Sequence, residues 1–252
     1  MSFGTHLTAH GAPPTYFTFP ALDALGLRHL TTTRHFPGVT SPSEPTAPFA
    51  SAATGALAAA GLAATRVAYG RQVHGAAVAR VGAHGGFSGA VDVLVTAEPD
   101  VPLAIFTADC LALILYDPAA RALSVAHVGW RGTVRGAGQA AVAALRELGS
   151  RPAHVIAAIS PSIGPCCYEI DRPVWEAFVS AHPVLWGAWF TPVGPDRWML
   201  DLWRANEDLL VEAGVPRDRI ANPRLCTACH RDLLYSYRKG HRGRLVTVAA
   251  LG

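Results

Sequence analysis

"FTADCLALILYDP", residues 106–118, is an apolar run with a polar break in it. Phe106, Leu111, Leu113, Ile114 and Leu115 suit an interior, yet Asp109 and Cys110 sit among them. A carboxylate in such a setting is costly unless something pairs with it. Read locally, Asp109 is a strand-end acid bonded to nearby amides, and Cys110 is a small core residue of a type that is commonly buried. Similar strand signals surround the stretch: "YFTFP", "RHLTTTR", "VAYG", "AAVARV", "VDVLVTA", "PLAIF", "ALSVAHV", "HVIAAIS" and "GRLVTVAAL". They cluster rather than alternating strictly with helices. That arrangement predicts an α+β fold, with mixed β-sheets and flanking helices, over a doubly wound sheet. "VDVLVT" alternates at period two, which predicts one less buried face.

Helices are expected at four places. An Ala-rich helix ends near Gly61, after a Pro/Ser-rich loop at 36–52. "TVRGAGQAAVAALRELG" is the clearest, with Thr133 as N-cap and Gly149 as its stop. "PVWEAFVSAH" opens on Pro173, and "DLWRANEDLLVEAG" runs from an Asp201 cap to Gly214. No linker divides the sequence, so residues 1–252 read as one domain.

Half of the 252 residues are hydrophobic and 15% are charged, which excludes a disordered or coiled-coil protein. The net charge of +3 comes almost wholly from scattered arginines, Lys239 being the sole lysine. Without a basic block, neither nucleic acid nor a membrane surface is expected as partner. No apolar run reaches the roughly 18 residues of a membrane span, and without a basic stretch leading into an apolar one at the start no secretory signal is expected. Five cysteines make an odd count and poor disulfide material, so a reduced, cytoplasmic setting is expected.

His74 in "GRQVHGAAV", Cys110 in "TADC" and His127 in "SVAHVGWRG" each stand at a strand end. Their spacing is not that of a local chelate. Adjacent strands could still bring Cys110 and His127 to one sheet edge, and a Cys with two His suits zinc with one position left open. Two satisfied histidines beside a core Cys is the plain alternative. In "GWRGTVRG", Gly129, Arg131 and Gly132 precede the strongest helix, a pattern suited to an anion. A tight turn with Arg131 paired to a surface acid would read the same. "SPSIGPCCYEID" (160–171) is a rigid loop that frames a pocket or forms a plain corner. Cys226-x-x-Cys229 lacks a second CxxC to complete a ribbon and is expected to bind no metal.

The ordered blocks "QVHG", "ADC", "AHVGWRG", "IGPCCYE" and "CTACHRDLLYSYRK" resemble the YfiH-like family, also called laccase-domain, polyphenol oxidase-like or peptidoglycan editing factor. The resemblance runs from about Leu30 to the C-terminus. It implies a single-domain α+β fold whose metal ligands fall on His74, Cys110 and His127, with zinc as cofactor and copper as a second option. It implies purine nucleoside phosphorylase activity on adenosine, inosine and methylthioadenosine, together with adenosine deaminase activity. The partners would then be a purine nucleoside and phosphate. "ADCLALIL" departs from the family in lacking a Pro after "ADCL", and "LLYSYRK" replaces an FFSYRR-like run that bears on substrate preference. Copper polyphenol oxidase chemistry is disfavoured, because the eleven histidines are dispersed and form no His-x-His pair.

On this reading Cys110 is a metal-held thiolate, and Asp109 is a general acid/base or the orienter of a histidine. Arg131, the helix N-terminus and Arg34 hold phosphate. Tyr237 or Tyr235 packs near the base, and Arg238 anchors that segment. Two other classes stay open. Cys110 and His127 could form the nucleophile pair of a metal-free hydrolase of amides or esters, and peptidoglycan-precursor editing belongs to this pair or to the metal mechanism. A non-catalytic metal-binding or partner protein is the other.

Overall fold

The computed structural model describes residues 6–39 and 49–252. "LALILYD" forms the strand Leu111–Asp117, which lies within a six-stranded sheet. The order across it is Ile220–Ala221, Ile156–Ile159, Leu111–Asp117, Ala122–Val128, Val93–Thr96 and Val78–Arg80. The central strand is antiparallel to both neighbours, while the outermost pairings on each edge are parallel. Its side chains alternate between two interiors, which is why the run is apolar throughout. Leu111, Leu113 and Leu115 pack toward helices, whereas Ala112, Ile114 and Tyr116 face a second sheet.

The second sheet has seven strands, with Leu245–Ala250 paired between Arg28–Thr32 and Leu103–Thr107. Its inner face sends Phe17, Leu103 and Ile105 against Ile114, Leu123 and Val125 of the first sheet. On its outer face Leu30, Phe106, Val246 and Val248 meet Ala53 and Leu57 of the helix Ser51–Ala59. A three-stranded sheet (Glu169–Asp171, Arg197–Leu200, Phe190–Gly194) lies beside the helical layer. This is the α+β class with mixed sheets and flanking helices that the strand clustering predicts.

Three local expectations are corrected. "VDVLVT" has no open face: Val93 and Val95 join the helix-side core, Leu94 joins the core between the sheets, and Thr96 is buried. The long helix does not start at Thr133. A short helix, Trp130–Val134, is capped by Gly129, and the long one, Ala137–Glu147, begins after left-handed Gly136 (φ 76°). Thr133 is buried, bonding Gly129 O (3.1 Å) and accepting from Asn206 Nδ2 (3.0 Å). Of the loop at 36–52, residues 40–48 lie outside the described residues; beyond them, the helix already begins at Ser51.

The other helix limits agree with their signals. Pro173 sits in the first turn of Arg172–Ala181, and the Asp201 carboxylate caps Leu202–Glu212 by accepting from Arg204 N (2.9 Å). Gly61, Gly149 and Gly214 all take positive φ just past helix ends. Among the described residues no helix is long and apolar enough to cross a membrane.

Because Leu113 is fully buried in a strand packed on both faces, Leu113→Ala should destabilise the protein by ~2–5 kcal/mol. Denaturant unfolding checks this; a loss well under 1 kcal/mol would mean that the strand is not central.

Candidate functional site

The site is assembled around an acid that the sequence reading overlooked. Asp92, immediately before the strand Val93–Thr96, is wholly buried. Its carboxylate accepts the backbone N–H groups of Val73 (3.1 Å), His74 (3.0 Å) and Gly75 (2.7 Å). Three successive amides converging on one carboxylate bend the loop, and His74 takes a left-handed φ of 58°. His127 Nδ1 lies 2.8 Å from the same carboxylate, and His127 N donates to Asp92 O at 2.7 Å. With Nδ1 engaged, Nε2 of His127 is the ring atom left for a ligand. The loop is further tied down by Gln72, which exchanges two hydrogen bonds with the backbone of Phe106 (2.7 and 2.8 Å).

Strand pairing supplies the third group. Leu111 lies opposite Val128 and Ala112 opposite His127, so Cys110 falls beside Gly129 at the sheet end. A Cβ on Gly129 would stand 2.7 Å from Cys110 Sγ and 3.4 Å from the His74 ring, so that space is reserved by the absence of a side chain. One ligand atom each from His74, Cys110 and His127 lie within 4.8 Å of one another. The two imidazoles meet edge to face, with centroids 4.8 Å apart. The sheet-edge meeting of Cys110 and His127, and the approach of His74, are thus as the strand-end reading expects. Two imidazoles and a thiolate converging from three directions fit a zinc ion in donor type and spacing.

Charge reinforces the arrangement. Burial opposes a thiolate at Cys110, but the charge of His127, its hydrogen bond and that of His74 prevail and bring the thiol down to about 6. Burial likewise opposes an imidazolium at His127. The Cys110 thiolate and the Asp92 carboxylate outweigh it, raising His127 to about 9. Asp92 is disfavoured by burial, yet its bonds from His127, Gly75 and Val73 hold it below the usual carboxylate range.

The three groups open into a cavity of about 610 Å³, a size suited to a small molecule. Arg71, Arg131, Arg238 and Arg244 line it, as do Phe106, Trp130, Tyr168 and Tyr237. Arg131 lies over the Trp130 ring, 4.3 Å from its centroid. Tyr237 is largely exposed, at 73%, so one ring face is open to a ligand. Arg238 anchors its segment as expected: its guanidinium covers Tyr168 at 5.1 Å and donates to Glu169 O at 2.8 Å. Burial, with the nearby charges of Cys110 and Asp109, pushes the Tyr168 phenol up, so it stays neutral.

Other expectations need revision. Asp109 is not the orienter of a histidine; Asp92 is. Asp109, at φ 93°, accepts from Thr227 Oγ1 (2.6 Å) and from Arg238 N (2.7 Å) while facing the cavity. Arg34 is not brought to the cavity. It donates to Arg231 O (2.5 Å) and lies over Tyr235, because the turn after its strand is fastened to the C-terminal segment. Tyr235 is packed against Gly243 rather than lining the cavity. The long helix's N-terminus begins at Ala137, so Arg131 belongs to a separate short helix. Residues missed were Asp92, Arg71, Tyr168 and Arg244. Only Asp92 left a sequence signal, an acid opening an otherwise apolar strand.

Comparison with known proteins places the chain. Residues 49–252 match a family model described as multi-copper polyphenol oxidoreductase laccase. The chain belongs to that family. It is similar to a purine nucleoside phosphorylase of Deinococcus radiodurans, 41% identical over 77% of this chain and 74% of the relative. Purine nucleoside phosphorylase YlmD of Bacillus subtilis is 37% identical over 63% of this chain; the match spans only 58% of that relative. An adenosine deaminase, RL5, from an unknown prokaryotic organism is 35% identical over 59% of this chain and 57% of its own length. The crystal structure of YlmD from Geobacillus stearothermophilus superposes with a TM-score of 0.86 and 26% identity, covering 96% of this chain and 98% of that one. The YfiH resemblance and the fold it implies are thereby established.

Asp92→Asn keeps the shape but loses the anionic acceptor, so zinc affinity at the adjacent His127 should fall by roughly 10–100-fold. Titration of zinc into metal-stripped protein reads this directly, and an unchanged affinity would show that Asp92 does not orient a ligand.

Proposed function

We propose that the chain is a zinc-dependent purine nucleoside phosphorylase, acting on adenosine, inosine and methylthioadenosine, that also deaminates adenosine. One observation carries the reading: a set of two imidazoles and a thiolate at the base of a cavity that also presents four arginines and an exposed tyrosine face. The similarity to a purine nucleoside phosphorylase and to an adenosine deaminase supports the same two reactions. His74, Cys110 and His127 would hold the metal. A zinc ion bound there would act as a Lewis acid toward a water or substrate atom.

The chain's own groups have separate tasks. In phosphorolysis a phosphate oxygen attacks C1′ of the ribose and the purine leaves with the electrons of the N-glycosidic bond. Arg131, held over the Trp130 ring, offers its guanidinium fork to the phosphate and stabilises charge near the reacting carbon. Tyr237 offers its open face to the base. In deamination, water adds at C6 and ammonia leaves, so a proton must move from the one to the other. Asp109, in the cavity wall with a carboxylate already oriented by Thr227 and Arg238, is assigned that transfer.

A second reading rests on the pairing of Cys110 with His127. A thiolate near pKa 6 beside an imidazolium near 9 is also a metal-free nucleophile pair. Elemental analysis with inhibitor tests separates the two. Chelator-sensitive activity with one zinc lost on Cys110→Ala supports the metal enzyme; iodoacetamide-sensitive hydrolysis with zinc content unchanged by Cys110→Ala supports the other.

The deciding experiment is chromatography of products from adenosine, inosine and methylthioadenosine, each with and without phosphate. Free base formed only with phosphate, and inosine formed from adenosine without it, are expected. No turnover of any nucleoside by zinc-loaded protein would overturn the proposal. Cys110→Ala should abolish both activities together with zinc binding by the His74–His127 group while leaving a folded protein. Arg131→Lys should reduce phosphorolysis much more than deamination, since lysine lacks the planar fork; equal losses would assign Arg131 to the nucleoside or to structure.

A further inference from the structure

The isolated CxxC of the sequence has a partner pair after all. Cys166 and Cys167, in the loop after the strand Ile156–Ile159, stand against Cys226 and Cys229, and all four Sγ atoms lie within 4.8 Å of one another. Cys229 Sγ is 3.5 Å from the sulfur of Cys166 and 3.5 Å from that of Cys167. These contacts are too long for disulfides, whose sulfurs sit ~2.05 Å apart. They match a shared metal instead. Four sulfurs at ~2.3 Å from one tetrahedral zinc are about 3.8 Å from each other. The spacing leaves no room for a cluster of several irons.

Backbone structure holds the four sulfurs in place independently of any ion. Ser162 and Cys226 form a parallel bridge, with Ser162 N donating to Leu225 O (3.2 Å) and Thr227 N to Ser162 O (3.1 Å). Gly164 N donates to Cys226 Sγ at 3.3 Å, the N–H to sulfur contact that favours a thiolate. Gly164 itself is pressed on Trp203, where an added Cβ would come within 2.4 Å of the ring, so the loop cannot back away. Cys167 N and Tyr168 N both turn back onto Gly164 O (3.0 and 3.1 Å), bringing the adjacent cysteines to the same side as the CxxC.

We infer that Cys166, Cys167, Cys226 and Cys229 form a second, structural zinc site, separate from the His74–Cys110–His127 group. Binding displaces up to four thiol protons and leaves a closed tetrathiolate with no open position. Its place in the fold gives it a role. Tyr168, next to Cys167, lines the cavity, and Thr227, inside the CxxC, donates to Asp109 Oδ1 at 2.6 Å. The zinc would therefore clamp together the two loops that present Tyr168 and Asp109. The expectation that Cys226 and Cys229 bind no metal rested on a missing second pair, and that pair exists.

The test counts and identifies metal in the full-length protein, apart from any activity. Wild type grown with added zinc should carry one more zinc than the Cys226→Ser, Cys229→Ser double variant, and likewise one more than Cys166→Ser, Cys167→Ser. Should either double variant fail to fold, Cys110→Ala still decides, because it leaves all four cysteines intact. It should retain one zinc whose X-ray absorption spectrum shows only sulfur neighbours at ~2.3 Å. Zinc content unchanged in a folded double variant, or a metal-free Cys110→Ala protein, would overturn the inference. So would nitrogen or oxygen neighbours around the zinc of Cys110→Ala, or a disulfide among the four cysteines in protein alkylated without reductant.

Discussion

The candidate site depends on a single buried carboxylate. Asp92 has no exposure to water, and an isolated charge there would be prohibitively costly. It is accommodated because three amides of the loop 73–75 and the imidazole of His127 converge on it. The same bonds that solvate the acid therefore place His74, turn its backbone into the left-handed region, and select the free nitrogen of His127. Structure and chemistry share one constraint: the acid cannot be buried without assembling the two histidines.

From that acid a sequence of alternating charges runs outward. Carboxylate, imidazole and thiol stand in line, and each favours the charged form of its neighbour despite the burial that opposes it. Gly129 keeps the far side of Cys110 clear. The thiolate is already in its ligating form, while the imidazolium of His127 gives up its proton to an incoming ion. Asp109 belongs to a different support, since Thr227 and the Arg238 amide hold it from the C-terminal segment. The cavity wall and its base are thus fastened to separate parts of the chain, one by Asp92 and the other by the loops around Cys226.

Much of this was legible in the residues. The run at 111–117 is apolar at every position except its last because one face meets helices and the other meets a second sheet, and strand signals packed so closely could only build stacked mixed sheets. Helix limits at Asp201, Gly149 and Gly214 follow local backbone rules and were readable for that reason. His74, Cys110 and His127 stood out as metal-ligand types at strand ends beside glycine or within a polar break, and the pairing register brings two of them together directly. Where local rules competed, the reading failed: Gly136 breaks the predicted long helix, leaving Thr133 buried and bonded to Asn206.

What the sequence by itself determined was the fold class, the family and the kinds of atom available for chemistry, because these follow from periodicity, turn residues and short ordered blocks. Only the tertiary structure decided which of those atoms meet. An acid at the start of an alternating strand looks like a solvated residue until the loop carrying His74 closes over it. Arg34 looks like a phosphate ligand until its turn is found fastened to Arg231, and a lone CxxC looks incomplete until the loop at 166–167 folds against it. Each of these contacts joins residues far apart in the chain. Long-range contacts are settled by packing and by the need to pair buried polar groups, neither of which any local stretch of sequence records.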